Sequence, residues 1–380
     1  MPRKVLYVSP CAERAGAEQL TRLFIMNHNR DLWAPEIFFF KDGPFREELE
    51  RDGVICHVAR ESSRMRLRNP VSIYKMAGEV SDLVRRREIS LVHSMMGYGH
   101  IAGGLGAKMA GVPEVWFQHG PTGRLDYLTG LVPSHTVFVN SKHTRDRQLR
   151  YRARVDHVSL IYPAIDPSVR AEDFAGSAEK FKRDWSGDRQ EFTFGLVGRI
   201  APMKGQHLFV EAAQKISKIY SQTRFVLIGS TFEGNAGAYA NELQLKIRNS
   251  GISEQITLTG YLPQPQGAIM ACDCIVNATV NAEPFGLTLI EAMQLGRPVI
   301  APDQGGPLEI LEEAREGFFF RSGNVDSLVE SMTRILELKK NGPSWQVMTS
   351  AALQKARGQF GLERMMGELE AEYALACAHD

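Results

Sequence analysis

The sequence predicts an α/β fold built from two doubly wound domains. Short runs rich in Val, Ile and Phe alternate with longer segments in which apolar residues recur at helical spacing. The short runs are continuously apolar, which is typical of parallel strands that helices cover on both faces. A polar stretch near the middle of the chain interrupts the alternation, which then resumes. These observations predict two sheets of the Rossmann type, facing each other across a cleft.

The first domain is predicted to span residues 1–168. Its predicted strands are Val5–Val8, Ile37–Phe40, Val54–Val58, Leu91–His93, Val115–Gln118, Thr136–Asn140 and Val158–Ile161. Between the first two strands, Leu20 and Phe24 share one face of a helix predicted over Gly16–Asn27. The small, Gly-rich segment Ile101–Ala110 predicts a helix that packs close to the sheet.

Residues 167–190 are polar and contain no strand-like run, so residues 169–190 are predicted to link the domains and to include a short helix. The second domain, residues 191–360, repeats the alternation. Its predicted strands are Phe192–Val197, Phe225–Ile228, Ile256–Leu258, Ile275–Asn277, Val299–Ala301 and Gly317–Phe320. Residues 361–380 are predicted to form a last helix, because apolar residues recur at helical spacing from Leu362 to Tyr373.

The composition is that of a globular, cytoplasmic protein. Hydrophobic residues make up 43% and charged residues 23% of the chain, and the net charge is +1, so nothing overall attracts nucleic acid. The first apolar run is too short for a signal peptide, and no stretch reaches the ~20 apolar residues of a membrane span. The 5 cysteines predict no disulfide framework, and Cys272 and Cys274 are interpreted as packing residues rather than zinc ligands.

The most distinctive segment runs from Glu283 to Glu291 and reads EPFGLTLIE. It follows a predicted strand and opens a helix, so the amides near Phe285, Gly286 and Leu287 are expected to be free donors at the positive end of that helix. Two carboxylates beside such amides suit a ligand that is part anion and part polyol. The residues alone leave an alternative equally open, in which Glu283 is a capping residue and Glu291 a solvated one.

A second segment, GRIAPMKG, runs from Gly198 to Gly205 and follows the first strand of the second domain. Gly198 permits a sharp turn of the backbone. Arg199 and Lys204 place two cations before a helix, an arrangement that attracts a diphosphate and stabilises a leaving group as its charge grows. The alternative interpretation is a pair of ordinary surface cations.

Together these segments resemble glycosyltransferase family 4, a retaining family with the two-domain GT-B fold. The resemblance rests on the order and spacing of GRIAPMKGQHLFVEA, EPFGLTLIE and GGPLEI. In the first domain, Gly16-Ala17-Glu18 matches a GxE-type loop of the family, and Asn140-Ser141 matches its Asn-Ser at a strand end. The segment Tyr162–Asp166 departs from the family's usual Asn-Gly-Val-Asp.

The resemblance implies a role for each motif residue. The donor-binding residues that it implies are Gly16, Ala17, Gly198, Arg199, Lys204, Glu283, Phe285, Gly286, Leu287 and Glu291. The catalytic residues that it implies are His119, Arg199, Lys204 and Glu283. Arg199 and Lys204 would bind the donor diphosphate. Glu291 would hold the ribose and Glu283 the transferred sugar, while His119 would line the reacting centre.

The implied reaction is metal-independent transfer of a sugar from a UDP-, GDP- or ADP-type nucleotide sugar to an acceptor hydroxyl. Configuration would be retained by displacement on the front face of the sugar. The chain contains no Asp-x-Asp, so we expect no metal ion and no cofactor. Two alternatives remain open: a nucleotide-sugar 2-epimerase of the same fold, and a non-catalytic nucleotide-sugar binding protein.

The acceptor is expected to be a glycan, a lipid-linked molecule or a small molecule, and the first domain is expected to bind it. The reaction is expected to belong to glycan biosynthesis. Two Arg-rich stretches of that domain, Ser63–Arg68 and Arg145–Arg154, suit an anionic acceptor or peripheral contact with the inner face of a membrane. The favoured interpretation of both stretches is a solvated, charged helix and loop.

Overall fold

A computed structural model of the chain describes residues 1–13, 16–60, 65–120, 125–150, 155–231 and 236–378. These residues form two compact units. The first comprises residues 1–164 with the C-terminal segment from Leu362 onward, and the second comprises residues 165–361. Among the described helices, none combines the length and the apolar character that crossing a bilayer requires.

Each strand predicted for the first domain is confirmed. The observed strands are β1 (Arg3–Ser9), β2 (Trp33–Phe39), β3 (Ile55–Val58), β4 (Leu91–Met95), β5 (Glu114–Gln118), β6 (Ser134–Val139) and β7 (Val155–Leu160). They form one parallel sheet in the order β3-β2-β1-β4-β5-β6-β7. Chain order reverses between β1 and β4, which is the switch point where sheets of this class bind ligands.

The described helices that connect strands of the first sheet include the two that the sequence predicts for this domain. They are α1 (Gly16–Asn27), α2 (Pro44–Arg51), α3 (Pro70–Arg87), α4 (Met96–Ala110), α5 (Leu125–Thr129) and α6 (Lys142–Gln148). The bounds of α1 match the prediction, whereas α4 begins at Met96 rather than Ile101. A Cβ on Gly103 would lie 2.1 Å from the Ser94 hydroxyl, so α4 does pack close to the sheet.

Successive side chains of the first sheet point to opposite faces and build two core layers. Leu6 and Val8 pack under α3 and α4. Tyr7 and Leu91 point to the other face and pack against α1 and α2. The continuous apolar runs in the sequence are explained by this double coverage.

The second unit confirms the other predicted strands. They are β8 (Phe192–Val197), β9 (Thr223–Ile228), β10 (Ile256–Leu258), β11 (Cys274–Val276), β12 (Val299–Pro302) and β13 (Gly317–Phe320). The parallel sheet has the order β10-β9-β8-β11-β12-β13. Its switch point lies between β8 and β11.

Residues 169–190, predicted as a link between domains, instead lie within the second unit. The described helices of this unit are α7 (Ala171–Ser186), α8 (Gln206–Ile219), α9 (Ala236–Arg248), α10 (Gln266–Ala271), α11 (Leu287–Gln294), α12 (Pro307–Ile310), α13 (Val325–Lys340) and α14 (Gly342–Gln359). A Cβ on Gly267 of α10 would lie 2.1 Å from the Ser177 hydroxyl of α7. Helix α7 also carries an apolar stripe of Phe174, Ala178, Phe181 and Trp185 at helical spacing, so the absence of a strand here marks a helix of the second unit rather than a linker.

The last helix, α15 (Leu362–Ala376), belongs to the first unit. The Tyr373 hydroxyl lies 2.9 Å from the Tyr7 hydroxyl and also hydrogen bonds with His93 Nδ1. His28 extends the network, with Nε2 2.7 Å from the Tyr7 hydroxyl and Nδ1 2.8 Å from Glu370 Oε1. A chain of buried polar side chains therefore fastens α15 to the sheet.

Candidate functional site

The loops that follow β8 and β11 lie side by side, because these strands are neighbours in the second sheet. The first loop carries the GRIAPMKG segment over residues 198–205, and the second covers residues 277–286 and leads into α11. Both leave the carboxyl ends of strands that flank the switch point. The two motifs of the second domain therefore meet in one place.

An ion pair joins these loops. Lys204 Nζ lies 2.9 Å from Glu283 Oε2 and 3.2 Å from Oε1. The Lys204 and Glu283 side chains are 27% and 14% exposed, so the pair is shielded in part while remaining within reach of a ligand. An anion that binds Lys204 will share the cation with Glu283, and a polyol that binds Glu283 will share the carboxylate with Lys204.

Thr279 is a site residue that the sequence motifs do not include. Its hydroxyl donates a 2.8 Å hydrogen bond to Glu283 Oε2. Thr279 is 2% exposed, and its amide donates to Asn277 Oδ1 at 3.1 Å, so the hydroxyl is held in place. A threonine four residues before a glutamate is too common to predict this contact, which only the bend of the loop creates.

Close approach of backbone segments around Glu283 requires glycine at two positions. Gly205 has a φ of +68°, and a Cβ there would lie 1.9 Å from the Ala278 carbonyl oxygen. The Gly306 amide donates to the Glu283 carbonyl oxygen at 2.8 Å. A Cβ on Gly306 would lie 2.3 Å from the Phe285 Cα atom. These contacts fix the backbone from which the carboxylate extends.

Helix α11 presents its amino end at the same loop. Gly286 precedes it with a φ of 112°, and no side chain caps its first amides. The amides of Leu287 and Thr288 have no partner inside the helix and lie at its positive end. Phe285 is 2% exposed and packs edge-on against Phe360 with ring centroids 5.6 Å apart. The phenyl ring thus anchors the turn and leaves the first amides for an anion or a hydroxyl.

Glu291 lies in the second turn of α11 and differs from Glu283. Its side chain keeps partial contact with solvent and makes no side-chain hydrogen bond or ion pair with the described part of the chain. Burial among the surrounding atoms raises the pKa of Glu291 to about 7. A carboxyl group in such a recess is suited to accept hydrogen bonds from a ligand that replaces the lost water.

Arg199 lies two residues beyond the end of β8, and its side chain is exposed. Gln206 Nε2 donates to the Arg199 carbonyl oxygen at 2.9 Å, which fixes the loop at the start of α8. The Gly198 amide donates to the Ile228 carbonyl oxygen at 2.9 Å. The backbone of this loop is thus fixed at both ends.

His119 lies in the first unit, one residue after β5. Its buried Nε2 atom has no hydrogen-bond partner among the described residues, and burial lowers the pKa of the ring to about 4. Asn140 Nδ2 donates to the His119 carbonyl oxygen at 2.8 Å, so the Asn140-Ser141 match serves to hold this loop. The imidazole is therefore neutral near pH 7 and offers a hydrogen-bonding nitrogen.

The GxE-type loop precedes and begins α1. Gly16 is the exposed first residue of the helix, Ala17 is half-buried, and residues 14 and 15 lie outside the described part of the chain. Glu18 is buried and accepts a hydrogen bond from Cys11 Sγ at 2.9 Å. Glu18 therefore has a structural role at the end of β1, where Gly16 and Ala17 are left at the surface.

Two other histidines of the first domain serve packing. His100 is stacked on Trp116 with ring centroids 4.2 Å apart. Its Nδ1 lies 3.0 Å from Glu114 Oε1 and its Nε2 lies 3.1 Å from the Thr129 carbonyl oxygen. His93 belongs to the network that holds α15. Both rings are fully buried among protein groups.

Metal ligands do not cluster in the part of the chain that the structure describes. Cys272 and Cys274 are buried free thiols, and burial raises the pKa of each, which agrees with a packing role. Of the two Arg-rich stretches, residues 63 and 64 and residues 151–154 lie outside the described residues. Arg66 and Arg68 are exposed.

Two family models match the chain one after the other. The model described as Glycosyltransferase Family 4 matches residues 16–169, and the model described as Glycosyl transferases group 1 matches residues 177–352. Together the two matches span most of the sequence.

Curated relatives support the same family. A GDP-mannose-dependent alpha-(1-6)-phosphatidylinositol monomannoside mannosyltransferase of Mycobacterium tuberculosis is 26% identical over 208 residues, which are 53% of this chain and 52% of that enzyme. A UDP-Gal:alpha-D-GlcNAc-diphosphoundecaprenol alpha-1,3-galactosyltransferase of Escherichia coli is 24% identical over 291 residues, 72% of this chain and 71% of that enzyme. The chain thus spans about half the length of the first relative.

A solved structure identifies the fold. HepE from Anabaena, in complex with UDP and glucose, matches with a TM-score of 0.84 and 21% identity, covering 98% of this chain and 99% of HepE. The likeness confirms the GT-B fold that the sequence resemblance predicts.

Proposed function

Since this chain belongs to glycosyltransferase family 4, we propose that it moves a sugar from a nucleoside-diphosphate sugar to an acceptor hydroxyl. The observation that carries the proposal is the arrangement at the amino end of α11. Lys204 and Glu283 are paired there at 2.9 Å, while Glu291 makes no side-chain bond within the described chain. A nucleotide sugar combines a diphosphate for the cation, a diol for Glu291 and a sugar for Glu283.

In the proposed complex, the Glu291 carboxylate accepts hydrogen bonds from the two ribose hydroxyls. Arg199, Lys204 and the first amides of α11 neutralise the diphosphate. Glu283 accepts hydrogen bonds from the transferred sugar, and the Thr279 hydroxyl, 2.8 Å from its Oε2, keeps the carboxylate in position. Gly16 and Ala17 of the first unit approach the diphosphate in this proposal.

The proposed reaction retains the anomeric configuration. The bond between the anomeric carbon and the diphosphate oxygen breaks, and the acceptor oxygen bonds to the same face of the sugar. The acceptor proton passes to the departing phosphate. Arg199 and Lys204 stabilise the charge that grows on the leaving group, so catalysis rests on positioning and electrostatics. His119, with a pKa of about 4, contributes a neutral hydrogen-bonding nitrogen rather than a base.

We propose that neither a metal ion nor another cofactor takes part. The chain has no Asp-x-Asp with which to hold a cation on the diphosphate. In this proposal, two side-chain cations and a helix amino end stabilise the diphosphate charge that a metal ion would otherwise stabilise. All five cysteines are free thiols, which suits action in the cytoplasm.

The proposed acceptor is a lipid-linked molecule. The two relatives described above carry names that specify a phosphatidylinositol mannoside and a diphosphoundecaprenol acceptor. A free glycan or a small molecule is the alternative acceptor, and it would need no lipid surface. The donor nucleotide is proposed to be UDP, GDP or ADP, and the identity of the transferred sugar is left open.

A thermal-shift panel of UDP, GDP, ADP and their sugars tests the proposal. A ligand at a hundred times its Kd stabilises the folded protein by about 2.7 kcal/mol. We expect one base to raise the melting temperature, and Glu291→Ala to abolish that shift. The absence of a shift with every nucleotide would contradict the proposal.

The same ligand then separates the two competing functions. An epimerase converts the nucleotide sugar without an acceptor, so NMR of the donor incubated alone would reveal a new hexose. A binding protein gives the thermal shift but leaves the donor unchanged with every acceptor offered. We expect donor consumption that depends on the acceptor.

A further inference from the structure

Helices α3, α4 and α5 form one layer on the first sheet. α3 and α4 cover the face to which Val8 points. They touch directly, since a Cβ on Gly106 of α4 would lie 2.7 Å from Val80 of α3. α5 joins on the other side of α4, where His100 Nε2 lies 3.1 Å from the Thr129 carbonyl oxygen. The outer surface of the layer is therefore continuous across the three helices.

Large apolar side chains are exposed on these three helices and just after α5, and we call this surface the tyrosine face. They are Val71 (63% exposed), Tyr74 (67%), Tyr98 (43%), Tyr127 (64%), Leu128 (45%) and Leu131 (56%). Single exposed apolar residues are ordinary on soluble proteins. A group of them on one helical layer is typical of an interaction surface.

Two of these side chains, Tyr74 and Tyr98, lie at one end of the layer. Near the carboxyl ends of α3 and α4, Arg85 donates a hydrogen bond to the Met109 carbonyl oxygen. The contact of Gly106 with α3 lies about one turn earlier, so the two helices run side by side in the same direction. Their amino ends are neighbours as well, which brings Tyr74 and Tyr98 to the same end of the layer.

The chain around this end is basic. Arg66, Arg68 and Lys75 are exposed before and within the first turns of α3. Residues 65–78 contain neither Asp nor Glu, and residues 96–101 contain neither as well. This charge attracts an anionic lipid surface, whereas a second copy of the same face would bring like charges together.

We propose that the tyrosine face docks the first unit on an anionic lipid bilayer. A tyrosine has an apolar ring and a polar hydroxyl, which suits the boundary between acyl chains and headgroups. Arg66, Arg68 and Lys75 contact lipid phosphates beside the rings. The inference rests on the proposed function, because a lipid-linked acceptor is presented at such a surface.

Vesicle flotation tests the docking surface. The full-length protein is mixed with phosphatidylcholine vesicles that either contain or lack phosphatidylglycerol. We expect it to float with the anionic vesicles and to be released by salt, because salt screens the cations. The combined variant Tyr74→Ser, Tyr98→Ser, Leu131→Ser should lower the partition coefficient about tenfold or more.

A matched variant controls for the loss of exposed apolar area. Ile219→Ser with Leu245→Ser removes side chains that are 65% and 52% exposed in the second unit, and it should float like the parent. Melting temperatures of all three proteins report whether the substitutions leave the fold intact.

Three outcomes would overturn the proposal. The first is a parent protein that stays unbound, and the second is a tyrosine-face variant that floats like the parent. The third is a dimer, measured by light scattering, that the tyrosine-face variant disrupts without any vesicle binding. Thermal shifts with UDP, GDP and ADP are read separately, so vesicle binding without any nucleotide shift would reject only the transferase function.

Discussion

Two groups of buried polar side chains, one in each unit, are arranged in opposite ways. In the first unit, Tyr7, His28 and Tyr373 bond to one another and to neighbouring groups, and burial lowers the pKa of His28 and raises that of Tyr7. In the second unit, burial likewise raises the pKa of Glu291, but no side chain of the described residues bonds to its carboxyl group. The first arrangement fastens a helix, whereas in the proposed function a ligand completes the second.

The difference follows from the cost of removing polar groups from water. A buried polar group that bonds within the protein recovers that cost, and a network of such groups rigidifies the fold. A carboxyl group that lacks a protein partner retains the cost until a ligand supplies donors. A Glu291 variant should therefore change nucleotide affinity, whereas a Tyr373 variant should change the stability of the fold.

The largest effect is expected for Glu291→Ala. It removes two charge-assisted hydrogen bonds to the ribose, each contributing roughly 1.5–3 kcal/mol, so the Kd for the nucleoside diphosphate should rise more than about a hundredfold. Isothermal titration calorimetry measures the change. Glu330→Ala, an exposed glutamate on α13, is the control and should bind like the parent. Equal affinity in Glu291→Ala and parent would remove the ribose role.

Lys204→Ala should reduce kcat about a hundredfold and raise KM by less, because the phosphate charge is greatest in the transition state. Arg199→Ala should behave in the same way. Steady-state kinetics with saturating acceptor separates the two constants, with Lys218→Ala on the exposed side of α8 as control. A change confined to KM would mean that these cations bind only the ground state.

Much of this fold could be predicted, because its signals are local. Each predicted strand overlaps an observed one, and the observed bounds of α1 match those predicted. Residues 169–190 contain the helix that was predicted, but α7 groups with the second unit instead of linking the two units, because it packs on Gly267 of α10 through Ser177 and Phe181. Local pattern identifies a helix or a strand, whereas the unit to which that element belongs depends on contacts with residues distant in the chain.

The motifs of the second domain could be located in advance, but their contacts could not. Lys204 and Glu283 are 79 residues apart in the chain, and their 2.9 Å pairing depends on β8 and β11 being neighbours. The role of Thr279 depends on the same pairing and on the bend of one loop. The spacing of residues in the sequence predicts neither the order of strands in the sheet nor the shape of a loop.

Tyr373→Phe tests the stabilising half of the comparison. The variant deletes a hydroxyl that bonds with Tyr7 and His93, leaving buried partners unsatisfied. We expect a loss of roughly 1–3 kcal/mol in the free energy of unfolding, with the nucleotide Kd unchanged. Urea denaturation measures the loss, and Tyr261→Phe, 54% exposed, is the control. A change in nucleotide Kd with no change in the free energy of unfolding would contradict the stabilising role of Tyr373.

A smaller effect is expected on the pH dependence of stability, because Glu291 titrates at an unusual pH. Burial raises its pKa from the ordinary 4.5 to about 7, so the folded state binds a proton more tightly than the unfolded state between these values. The contribution of Glu291 to stability therefore falls as pH rises through this window. Glu291→Gln removes the dependence, so the melting temperature of the variant minus that of the parent should increase from pH 5 to pH 8. A constant difference would mean that Glu291 titrates normally.

Chelation is expected to have no effect on transfer. Arg199, Lys204 and the first amides of α11 stabilise the diphosphate in the proposed mechanism, so excess EDTA should leave the initial rate unchanged and added Mg²⁺ should not raise it. The same reaction, followed by proton NMR before mutarotation, reports the coupling constant of the new anomeric bond, which retention requires to match that of the donor. Complete loss of turnover in EDTA would require a metal ligand outside the groups named here, and an inverted anomeric carbon would exclude front-face displacement. Either result would leave the ribose role of Glu291 standing, because nucleotide binding without a metal is measured independently of turnover.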